Sequence, residues 1–119
     1  MSVMLSRGVV AAEGSFEMNP GVVTRVVQTF DHPFSLIAAA LRVTQGQPLN
    51  EIVRVLLTSA SGKGPFILKQ ETLVDVTDWS WIPEGMFGME VERGASLTLE
   101  LSNQAGNSKV DMYLSCKKL

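Results

Sequence analysis

The sequence holds one cysteine and one histidine, and that scarcity removes several classes of function at once. Cys116 has no second thiol to bridge to, which rules out an internal disulfide framework. A structural zinc site draws on several Cys or His ligands, and Cys116 with His32 cannot supply them. Charge is also scarce, at 18% of the residues, with a net charge of −2 and a pI near 5.3. The ten Lys and Arg are scattered, and Lys117-Lys118 is their only adjacent pair. A nucleic-acid binder gathers its basic side chains on one face, so nucleic acid is not an expected partner. No apolar run approaches the roughly 20 residues of a spanning helix, so no membrane span is expected. The first ten residues lack a basic segment followed by an apolar core, so no signal peptide is read there. The expectation is a soluble product made in a reducing compartment.

What the chain has in quantity is apolar surface. Hydrophobic residues make up 45% of 119 positions, enough for one domain with a single core and for contacts with neighbours. The clearest pattern lies near the C-terminus. Leu97, Leu99 and Leu101 alternate with Thr98, Glu100 and Ser102, and Val110, Met112 and Leu114 alternate with Asp111, Tyr113 and Ser115. Period two with one apolar face marks a half-buried strand. Asn103-Gln104-Ala105-Gly106-Asn107 between them reads as a hairpin loop. Val22 to Phe30 is β-branched and reads as a strand closed by Asp31-His32-Pro33.

Two segments are ambiguous. Phe34 to Thr44 fits a strand buried on both sides, with Ile37, Ala39, Leu41 and Val43 on one face and Phe34, Leu36, Ala38 and Ala40 on the other. It also fits a helix, with Phe34, Ile37, Ala38 and Leu41 at helical spacing and Asp31 as cap. Leu49 to Leu57 divides the same way, and local signals put strand only slightly ahead. Phe66–Leu73 and Val74–Trp81 supply one or two more strands, and Glu92-Arg93-Gly94 makes a turn. The count is about seven or eight short strands, which points to an all-β, antiparallel sandwich or barrel. Residues 1–21, broken by Glu13-Gly14-Ser15 and Asn19-Pro20-Gly21, read as an N-terminal arm or edge segment, and 22–119 as the domain.

Groups that could carry chemistry are few. His32 between Asp31 and Pro33 reads as a solvated turn residue, and Cys116 as a small residue near the chain end. Asp75 and Asp78 lack the looped run of carboxylates that calcium requires. With no set of acid, base and nucleophile, neither an enzymatic activity nor a cofactor is expected. Trp79 and Trp81 flank Ser80, so on a strand they share one face about 7 Å apart. They are core residues or an exposed platform for a sugar ring or a protein partner. Met86, Phe87 and Met89 follow, and the five side chains Trp79, Trp81, Met86, Phe87 and Met89 form the candidate protein interface.

Segment order adds a resemblance. It runs from Phe34-Ser35-Leu36-Ile37 to Asn50-Glu51-Ile52-Val53-Arg54-Val55 and Ser59-Ala60-Ser61-Gly62. Trp81-Ile82-Pro83-Glu84-Gly85 and Val91-Glu92-Arg93-Gly94-Ala95-Ser96-Leu97-Thr98-Leu99 follow. The chain resembles small, jelly-roll-like β-sandwich structural proteins of bacteriophage virions. The resemblance implies strands for both ambiguous segments. It also implies a virion structural role as capsid cement, decoration protein, spike base or adaptor. The partners would be further copies in a homo-oligomer or other virion proteins, and the location the virion, after synthesis in the host cytoplasm. The rival expectation is a small carbohydrate-binding module using Trp79 and Trp81.

Overall fold

The computed structural model describes residues 9–17, 21, 23–83, 89–102 and 108–119. Among these every regular element is a strand. They are β1 (Val9–Glu17), β2 (Thr24–Thr29), β3 (Phe34–Gln45), β4 (Ile52–Thr58), β5 (Phe66–Thr72), β6 (Asp78–Trp81), β7 (Met89–Val91), β8 (Ser96–Leu101) and β9 (Lys109–Lys118). Both ambiguous segments are therefore strands. One sheet has the order β1-β9-β3 with β6 and β7 on the far side of β3, and the other has the order β2-β8-β4-β5. Among the described residues every strand pairing in both sheets is antiparallel.

β6 pairs with Ala39–Arg42 of β3 and β7 with Phe34–Leu36, in the same direction along one edge. They are two pieces of one interrupted edge strand, and the interruption falls beside a bulge in β3 between Leu36 and Ala38. Taken together they reduce the nine strands to eight, four in each sheet. The chain passes from one sheet to the other at every connection except β4–β5 and the β6–β7 interruption. That winding is the jelly roll.

The same bulge corrects the expectation that β3 is buried on both sides. Phe34 and Leu36 face the core before it, and Ala39 and Leu41 face the core after it. One extra residue shifts the period-two phase, so a one-sided strand acquires a two-sided sequence. The C-terminal hairpin is also corrected. β8 pairs with β2 and β4, whereas β9 pairs with β1 and β3, so the two strands belong to opposite sheets. Their alternating faces meet across the core instead of lying side by side. Residues 103–107, expected as the hairpin loop, lie outside the described residues.

The core is the sum of the two inner faces. Leu97, Leu99 and Leu101 of β8, with Val53 and Val55 of β4, pack towards Val110, Met112 and Leu114 of β9 and Leu36 and Leu41 of β3. Such faces in a sandwich interdigitate across about 10 Å. Burying each of these side chains contributes on the order of 1.5–3 kcal/mol. The ends of the sheets are tied by polar groups. Ser102 Oγ accepts the Ile52 N–H at 2.8 Å and donates to Glu51 Oε1 at 3.1 Å, while the Ser102 N–H donates to the Ile52 carbonyl at 3.0 Å. A hydroxyl thus stands where the next backbone carbonyl of the β4–β8 ladder would accept. The entry to β5 depends on Gly64, whose φ of 111° is open to glycine. A Cβ there would also meet the Leu57 carbonyl at 2.9 Å.

Candidate interaction surface

The outer face of the four-stranded sheet is ordered in rows, because antiparallel register sets opposite residues on the same side. One row is Thr29, Ser96 and Thr58, with Thr29 Oγ1 and Ser96 Oγ 2.6 Å apart. The next is Val27, Thr98, Leu56 and Ile67, one residue from each strand. The third is Arg25, Glu100, Arg54 and Gln70. In it Glu100 stands between two cations, with Arg25 Nε at 3.0 Å and Arg54 Nη1 at 3.8 Å. Pairs this exposed contribute up to about 1 kcal/mol each, so they orient the face more than they hold it.

The apolar row ends on β5, where exposure is concentrated. Val27 and Ile67 are each 57% exposed, Phe66 is 53% and Val74, just past the strand, 69%. Among the described residues β5 is the edge of its sheet and pairs with β4 alone. The Leu73 N–H donates to the Glu51 carbonyl at 2.8 Å, which makes Leu73 and Glu51 a hydrogen-bonded pair. Pairs of this kind alternate along an antiparallel ladder, so Gln70 and Thr72 turn their backbone amides and carbonyls away from β4. Lys69 and Glu71 lie between and beside them on the core side of the strand, beyond the cover of the facing sheet. Their Nζ and Oε1 are 3.9 Å apart.

The residues singled out in sequence fall elsewhere. Trp79 and Trp81 do share a face, and it is the inner one. Trp79 sits opposite Leu41 and is 8% exposed within the core; Trp81 sits opposite Ala39 and is half-buried against the core. Met89 is half-buried against the same cluster. Met86 and Phe87 lie outside the described residues. Trp79 has almost no ring surface left for a sugar or a partner, and the exposed apolar residue after this strand is Ile82. Sequence reasoning missed Phe66, Ile67, Val74 and Val27 as surface residues; for Phe66 and Ile67 the local signal is an apolar start to a strand that then turns charged.

The polar side chains singled out in sequence as possible chemistry have local partners. His32 Nδ1 lies 3.0 Å from the Pro33 carbonyl, and its ring stacks on Phe30 at 5.1 Å. The Asp75 N–H donates to Asn50 Oδ1 at 3.1 Å, and Asp78 pairs with Arg42 at 3.7 Å. Among the described residues no three His, Cys, Asp or Glu side chains gather as metal ligands. Cys116 is fully buried, and burial pushes its thiol up to about 11. An open hollow of about 330 Å³ lies on the outer side of the other sheet, lined by Ala40, Leu41, Arg42, Asp78, Trp79, Ser80 and Tyr113. Against known proteins, no family model, no curated protein and no solved structure matches this chain.

Proposed function

We propose that this chain is a structural subunit of an assembled particle, of the cement, decoration, spike-base or adaptor kind found in bacteriophage virions, and that it acts through protein–protein contacts. The observation that carries this reading is the exposed Ile67 on an edge strand, continued across the outer face through Leu56 to Val27, with Phe66 and Val74 exposed at the two ends of that strand. Exposed apolar side chains set in a row beside charged ones suit a binding surface, and edge strands left open pair readily with other chains. The eight-stranded jelly roll supplies a rigid plate on which such a surface keeps its shape. The reading places the protein in the virion, among further copies of itself or other virion proteins, with no catalytic step.

A second reading, a carbohydrate-binding module, rests on the hollow beside Tyr113, where a ring, an ion pair and Ser80 offer contacts to a sugar. Sedimentation velocity over a broad concentration series, beside retention on a polysaccharide matrix, separates the two. Concentration-dependent association without retention is the expected result. A chain that stays monomeric and is retained by the matrix refutes the structural reading.

A further inference from the structure

The assembly reading leaves open what meets β5, and the strand's own sequence is specific on that point. We propose that its partner is a second copy of this chain, the two β5 strands pairing antiparallel about a two-fold axis with Gln70 opposite Gln70. The inference rests on the assembly reading and deepens it.

Three features of β5 converge on this register. Gln70 and Thr72 present unpaired backbone donors and acceptors outward, with no backbone or side-chain partner among the described residues. A two-fold contact uses the same patch on both copies, so the patch must complement itself. Centred on Gln70, antiparallel pairing sets Lys69 of each copy opposite Glu71 of the other, and Leu68 opposite Thr72. Lys69 and Glu71 already approach within one chain at 3.9 Å. The pair would become a ring of four alternating charges at positions where opposite Cα atoms stand about 4.5 Å apart. Slipping the register by two residues sets Lys69 against Lys69, or Glu71 against Glu71, and like charges directly opposite are destabilising. Phe66 at the start of one strand would then lie near Val74, past the end of the other, and both are exposed in the single chain. The joined sheets would form one continuous layer with no open β5 edge.

A lone lysine on an edge strand is a common guard against pairing. Here the glutamate two residues on converts the guard into a key, because the strand repels misaligned copies and accepts an aligned one.

Charge exchange tests the register on the full chain. Sedimentation velocity should show Lys69→Glu and Glu71→Lys each weakening self-association by about a hundredfold or more, since each sets four like charges together. An equimolar mixture of the two variants should form a one-to-one complex. The double exchange Lys69→Glu with Glu71→Lys should recover association to near the original strength. Gln70→Pro, which removes an outward N–H and leaves the β4 side intact, should abolish association with an unchanged circular dichroism spectrum. An oligomer indifferent to the single reversals overturns this pairing and leaves the assembly reading standing. A mixture that fails to associate, although both variants keep their sheet spectrum, also overturns it. A chain monomeric at every concentration overturns the pairing, and its retention on polysaccharide would overturn the assembly reading too.

Discussion

Val26 and Val27 are neighbours on β2 that face opposite ways, and the same substitution at each isolates the energy of the core. Val26 points inward opposite Leu99, which in turn lies opposite Val55; both of those are fully buried on central strands and poorly able to close a gap. Val27 points outward opposite Thr98 and is more than half exposed. Replacing either by alanine removes two methyl groups, weakens strand preference and loosens the unfolded chain to the same degree. Those shared costs cancel in the comparison. At Val26 the lost transfer is about 0.8 kcal/mol per methyl group, and a residual cavity brings the total to about 2–3 kcal/mol. At Val27 most of that surface is already in water, so the loss stays below about 1 kcal/mol. A difference near 1.5 kcal/mol follows. With an unfolding entropy of roughly 2.1 cal/mol/K per residue, it corresponds to about 6 °C between the two melting temperatures. Urea titrations followed by tryptophan fluorescence suit the measurement, because Trp79 is in the core, and dilute samples keep association out of it. Equal losses at the two sites, or a larger loss at Val27, would refute the facing of β2 and with it the composition of the outer face.

Ser102→Ala should cost about 1–3 kcal/mol in the same titration, since it removes the acceptor of the Ile52 N–H and a donor to the buried Glu51 carboxylate; a loss under a few tenths would show that the ladder end is held otherwise. Cys116 gives a pH signature. Its folded thiol keeps the proton up to about pH 11, whereas the unfolded thiol releases it near its ordinary 9.0. The unfolded state therefore gains between those values, so stability is intact below pH 9 and falls towards pH 11 by up to about 1.4 kcal/mol per unit. Cys116→Ala should flatten that part of the stability profile, and native Cys116 should resist thiol reagents at neutral pH; an unchanged slope or rapid labelling would contradict its burial.

The strands were legible because alternation is a local property. β8 and β9 could be marked residue by residue from Leu97 to Leu114, as could the inward-facing residues of each. Their partners could not, since the same alternation serves two strands of one sheet or two strands facing each other across a core. Residue distance decides between those only when the loop is too short to cross, and residues 103–107 are long enough. In β3 a single bulge hid the one-sided burial, because it brings Ala39 and Leu41 to the face that Phe34 and Leu36 started. For the surface, the sequence told that Trp79 and Trp81 share a side but not which side. That depends on β6 lying against Leu41 and Ala39, a contact between distant parts of the chain. Phe66 and Ile67 look like core residues in sequence, and become surface only because β5 ends its sheet.

Of the four sheet edges, formed by β1, β2, β5 and the β6–β7 pieces, the last two are built unequally, and that inequality is itself informative. An edge strand offers unpaired backbone groups to any other edge, so folded proteins shorten, break or charge such strands. On one side, β6 and β7 have four and three residues and are separated by the chain that leaves after Trp81. Neither piece is long enough to template a ladder. On the other side, β5 runs for seven residues without a break in its outward edge from Lys69 to Thr72. Its bulge lies at Leu68, towards the apolar end, and its charges are one of each sign. Protection alone would favour two like charges there, because like charges reject every register of a second copy. Opposite charges two residues apart reject the slipped registers and leave one that attracts. A selection for solubility accounts for the broken edge, and the proposed pairing accounts for the spacing on β5.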